Sequence, residues 1–198
     1  MQRGKNKNYK IVLIVALIVA AVAITIGYAS FSETLTITGD ATVNHSAWII
    51  KFTNLSDASL TGTAEEIAHP EVSTDGTTLS SYNVKFTTPG DTVTYTFDVA
   101  NEGTFNAKLA TINIPTPICT GNGDNAANDA ANVCNHLTYT LTYSDDTEIQ
   151  EGDLLPKETS KNLKLTLTYK DDITASELPN NDVAVSNLSI TMYYEQTT

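Results

Sequence analysis

The strongest constraint on the fold is a two-residue period. Val93, Tyr95, Phe97 and Val99 fall on one face of an extended chain, with Thr92, Thr94, Thr96 and Asp98 on the other. Such alternation builds a strand with one apolar and one wet face. It recurs at Leu35 and Ile37, at Trp48, Ile50 and Phe52, and at Leu137, Tyr139, Leu141 and Tyr143. Two further runs follow, Leu163, Leu165, Leu167 and Tyr169, then Leu188, Ile190, Met192 and Tyr194. Turn residues separate them: Pro89-Gly90-Asp91, Asn101-Glu102-Gly103, Glu151-Gly152-Asp153 and Leu178-Pro179-Asn180-Asn181. Roughly eight to ten strands with one apolar face each imply two sheets packed face to face. The expected fold is all-β, a jelly-roll-like β-sandwich.

Within that frame, residues 89–114 read as a hairpin-like unit: a turn, a strand, a second turn at Asn101-Glu102-Gly103, and a returning strand. Residues 55–79 are polar and irregular, and a long loop with a short helix near residues 64–68 is expected. Residues 121–131 form a second polar insert.

Ahead of the strands lies a different pattern. Residues 11–26 are apolar except Thr25, and Arg3, Lys5, Lys7 and Lys10 precede them. A helix from Ile11 to Ala29 would be about 28 Å long at ~1.5 Å per residue. That length lies between a long signal-peptide core and a short membrane span. The basic flank stays in the cytoplasm under the positive-inside rule, which exports the remainder. Residues 1–30 are therefore expected to be a signal peptide or a membrane anchor, and residues 31–198 the exported sandwich domain. Gly27 and Ala29 offer small residues for a signal peptidase cut between Ala29 and Phe31, and retention as an anchor is the alternative.

No acidic residue occurs before Glu33, so all 23 acidic residues but only seven of the 11 basic ones follow residue 30. Nucleic-acid binding needs a basic surface, and this charge argues against it. The membrane is met only through the N-terminal helix. Cys119 and Cys134 are the two cysteines, and both follow the export signal. Export permits a disulfide between them, which would close the insert 121–131; two buried thiols are the alternative.

Candidate chemistry is sparse, and no catalytic residue or cofactor is expected. The insert carries Asp124, Asn128 and Asp129, weak candidates for a calcium site, since their spacing lacks the ordered carboxylates of an EF-hand loop. Glu65, Glu66, His69 and Glu71 cluster in sequence without a zinc-protease spacing.

The wording "IGYASFSETLTITG", "AWIIKFTNLS", "PGDTVTYTFDVANEGTFNAKL" and "LSITMYYEQ" resembles the TasA/camelysin group of exported Gram-positive bacterial proteins. The "PGD…Y.F.V.N.GT..AKL" stretch is the most specific part. The resemblance implies a jelly-roll fold, secretion or display at the cell surface, processing by a dedicated signal peptidase, and self-association into biofilm matrix fibres. In such fibres the segment freed by processing becomes a strand of the next subunit, and here that segment includes Glu33, Thr34, Leu35, Thr36, Ile37 and Thr38. The chain departs from the best-known members in reading "SETLTITGDATVN" after the cleavage region and in carrying two cysteines. A metallopeptidase activity is also associated with the family, but this chain has no His-Glu-x-x-His. The expected function is that of an exported structural subunit, not an enzyme. A monomeric surface adhesin or binding module is the alternative.

Overall fold

The computed structural model describes residues 5–30, 42 and 45–197. The chain divides into two units, residues 1–44 and 45–198. The first contains α1 (Lys5–Ser30), the helix formed by the apolar run. Residues 9–21 of α1 are exposed. Among the described residues no helix is long and apolar enough to cross a membrane. The expected strand at Glu33–Thr38 lies outside the described residues.

The second unit is β-rich. Its elements are β1 (Ile50–Thr53), β2 (Ser59–Thr61), β3 (Glu65–Ala68), β4 (Asn83–Lys85), β5 (Thr92–Asn101), β6 (Ala107–Asn113) and β7 (Ile118–Thr120). Then come α2 (Ala126–Asn135), β8 (Leu137–Tyr143), β9 (Leu154–Leu155), β10 (Thr159–Tyr169), β11 (Ala184–Ser186) and β12 (Thr191–Gln196). The larger sheet is antiparallel in the order β1-β5-β10-β8, and β2 shares with β1 the outer edge of β5. A second sheet runs β12-β6-β9, and β3–β4 and β7–β11 form separate pairs.

The alternating runs pack as their period requires. Val93, Tyr95, Phe97 and Val99 of β5 join Leu163, Leu165 and Leu167 of β10 and Leu141 of β8 in one buried cluster. Ala107 and Leu109 of β6 and Leu155 of β9 enter that cluster from the second sheet. Each fully enclosed large side chain contributes about 1.5–3 kcal/mol. Phe52 meets Phe97 edge-on, with ring centroids 5.5 Å apart.

Two expectations are corrected. Residues 89–114 are not a hairpin, because β5 and β6 lie in different sheets. The corner is built by Asn101, which is 1% exposed. Its amide donates to the carbonyls of Phe105 and Leu155, at 2.9 and 3.0 Å, and its oxygen accepts the Gly103 N–H at 3.0 Å. These bonds turn the chain out of one sheet and into the other. Residues 65–68 form no helix but the strand β3, paired with β4. Pairing across the chain overrides the local helix propensity of the Glu-Glu-Ile-Ala run. The second half of the polar insert belongs to α2: alanines favour the helix, and tertiary bonds described below fix it.

Candidate functional site

The apolar face of the larger sheet carries two adjoining hollows. The first encloses about 700 Å³; Tyr95, Phe97, Leu141 and Leu165 line it from the sheet, and residues 77–82 and 185–192 line it from the chain opposite. The second encloses about 690 Å³, with Leu137, Leu167 and Tyr169 from the sheet and residues 82–87 and 178–185 around them. Tyr82, Val185 and Leu188 line both. Thr191 and Met192, which line the first hollow, open β12. β12 is an end strand of its sheet, so the hollow has an apolar floor beside a strand edge.

The tyrosines of this groove are polar at their tips only. Tyr139 donates its hydroxyl to the Leu188 carbonyl at 2.5 Å. The hydroxyl of Tyr169 is buried without a partner among the described residues, and that of Tyr82 lies against the Tyr139 hydroxyl. Burial pushes the pKa of Tyr82, Tyr139 and Tyr169 up, as it favours the neutral phenol.

One wall of the groove is clamped from outside. Cys119 of β7 and Cys134 of α2 are joined by a disulfide, with Cα atoms 5.8 Å apart. Cys119 pairs with Val185 in the β7–β11 ladder. Asp129 of α2 is fully buried. It accepts the backbone N–H groups of Asn180 and Asn181, at 3.1 and 3.3 Å, and the Asn125 amide at 2.7 Å. Asn132 donates to the Glu177 carbonyl at 3.0 Å.

Of the weak calcium candidates, Asp129 is thus engaged by three N–H donors, Asn128 donates to Asn125 at 2.9 Å, and Asp124 is exposed. Among the described residues no group of three or more His, Cys, Asp or Glu could hold a metal ion. Glu66 accepts both the Tyr95 hydroxyl and a His69 ring nitrogen, each at 2.8 Å. Glu66 and His69 thus pack over Tyr95, while Glu65 and Glu71 are exposed.

Sequence reasoning missed Asp91, which is 1% exposed. Its carboxylate accepts the N–H groups of Thr63, Thr87 and Thr88, at 2.6, 2.7 and 2.9 Å. Burial raises its pKa, but these bonds outweigh burial and hold the carboxyl below its ordinary value. Gly62 completes the contact: it has φ +67°, and a Cβ there would stand 2.3 Å from an Asp91 oxygen. The Pro-Gly-Asp triplet was legible as a turn, but its long-range partner Thr63 was not.

The fold and groove together define a disulfide-stapled, β-rich domain with an apolar trough beside a strand edge. No family model matches the chain, and no curated protein or solved structure matches it either.

Proposed function

We propose that this chain is an exported structural protein of the cell surface or extracellular matrix, not an enzyme. Its folded unit is assigned to the jelly-roll-like sandwiches, and α1 serves as export signal or anchor. Neighbouring copies join when residues 33–38 of one chain lie along the groove of the next. The observation that carries this assignment is the groove itself. A strand laid beside the edge of β12 would satisfy unpaired backbone groups, and Leu35 and Ile37 would face the apolar floor. The disulfide supports export, because such bonds persist in oxidising compartments. The resemblance to the TasA/camelysin group points the same way.

The test is removal of residues 31–38 from the processed protein, followed by electron microscopy. Filaments from the intact protein and none from the truncated, still folded one are expected. Normal filaments after truncation would refute strand donation. A second reading is favoured by the unpartnered hydroxyl of Tyr169, which lines the second hollow: a monomeric binding module holding a small, mostly apolar ligand. It requires that the processed protein stay monomeric at all concentrations, which sedimentation measures.

A further inference from the structure

Asn122 is the one asparagine of the chain that precedes a glycine. The pair lies in the loop closed by the disulfide, between Cys119 and the start of α2, and both residues are exposed. Gly123 has φ +77°, and a Cβ there would stand 2.9 Å from the side-chain nitrogen of Asn181. The turn therefore requires glycine at this position. Among the described residues the Gly123 N–H has no acceptor, while its carbonyl accepts the Ala126 N–H at 3.3 Å. The Asn122 side chain makes one long bond, its amide donating to the Asp182 carbonyl at 3.4 Å.

From this placement we infer that Asn122–Gly123 is a self-modifying site, where the chain deamidates without an enzyme and turns a neutral tie to the groove wall into a negative charge. The Gly123 nitrogen attacks Cγ of Asn122. The new N–Cγ bond closes a cyclic imide, and the side-chain nitrogen leaves as ammonia, taking up the proton that the Gly123 nitrogen gives up. Water then opens the imide. Cleavage of the bond to Cγ leaves aspartate. Cleavage of the bond to the main-chain carbonyl leaves isoaspartate, whose backbone runs through the side chain and is one methylene longer. Glycine matters because any Cβ at the attacking residue would crowd the closing ring. Asn128 and Asn181 precede aspartates, which carry that Cβ, and the Asp129 N–H is already held by the Asn125 carbonyl at 3.0 Å. The fold thus demands at Gly123 the residue that makes its neighbour labile.

The product acts on the wall of the groove. Asn181 and Asp182 line the second hollow, and Asn122 and Gly123 are the residues set against them. Either product replaces an amide donor by a carboxylate, which only accepts, opposite the Asp182 carbonyl. Asp124 and Asp182 add like charge to the same stretch. The tie is lost and residues 180–183 loosen, while the disulfide and the Asp129 bonds remain. This inference rests on neither reading of what occupies the groove.

The experiment stores the full chain in warm, mildly alkaline buffer and follows it by ion exchange and peptide mapping. One early acidic species is expected, with aspartate and isoaspartate at position 122. It should be absent from Asn122→Gln, whose longer side chain closes a larger ring far more slowly. In the separated species, hydrogen exchange at residues 178–186 should quicken roughly two- to fivefold, within the worth of one neutral hydrogen bond, with β5 and β10 unchanged. Asn122→Asp reproduces the charge without the longer backbone and should show the same quickening. The site is overturned if the acidic species maps to another asparagine or persists in Asn122→Gln. It is also overturned if the reduced, denatured chain converts at Asn122 while the folded chain does not. Unchanged exchange at residues 178–186 in both the separated species and Asn122→Asp would overturn its action on the wall.

Discussion

Val185 lies directly opposite Cys119 in the β7–β11 ladder. One residue thus lines both hollows of the groove, and its ladder partner is covalently tied to α2. The wall of the groove is therefore held by the disulfide on one side and by the Asp129 bonds to Asn180 and Asn181 on the other.

Replacing Cys119 and Cys134 together by serine should cost roughly 3 kcal/mol, the chain-entropy value for a loop of this size. The melting temperature should fall accordingly. Hydrogen exchange should quicken at residues 118–120 and 177–186 while β5 and β10 keep their protection. Uniform acceleration across β5 and β10 would mean that the clamp belongs to the core and not to the wall.

Asp91→Asn should destabilise the domain by roughly 3 kcal/mol, because an amide offers one acceptor where the carboxylate offers two and charged acceptors bind more strongly. Since folding lowers the Asp91 pKa, its stabilisation is complete above the unfolded value near ~3.9 and is lost as pH falls through the folded value. Melting temperature against pH should therefore drop below about pH 4 in the parent protein, with a shallower drop in Asp91→Asn. Parallel curves would assign acid unfolding to other carboxylates.

Asn101→Ala should cost roughly 2–4 kcal/mol, since it strands the Phe105 and Leu155 carbonyls and the Gly103 N–H in a buried corner. Urea unfolding measures this directly. A loss within error would show that water replaces the amide.

Period two told which residues of β5, β8 and β10 face inward, because alternation is a local property. It could not tell which sheet the next strand joins, since that depends on Asn101 reaching Leu155, 54 positions away. The same limit hid the groove, which forms only when residues 77–82 and 185–192 meet over β5 and β10. Residues 121–131 read only as a polar insert, because the partners that fix Asp129 of α2, at Asn180 and Asn181, are distant in sequence. The disulfide was legible because the chain carries two cysteines, which leave one pairing.

The tyrosines set the alkaline limit of the fold. Burial, with Asp153 adding to it, pushes Tyr194 up to about 12. Tyr143 donates to Asp153 at 2.8 Å, and burial together with that bond raises its pKa as well. A phenol whose pKa is raised by folding is held neutral in the folded state and ionises more readily in the unfolded chain. Stability is thus undiminished below the unfolded value near ~10 and declines as pH rises through the folded values. Denaturant midpoints should be flat from about pH 7 to pH 10 and fall steeply beyond. Tyr194→Phe should remove part of that slope between about pH 10 and pH 12 without moving the neutral midpoint by more than ~1 kcal/mol, since Asp153 keeps the Tyr143 hydroxyl and the Gln150 N–H as partners. Tyrosinate absorbance that titrates fully near pH ~10 before the midpoint shifts would show these hydroxyls open to water and would overturn the assignment.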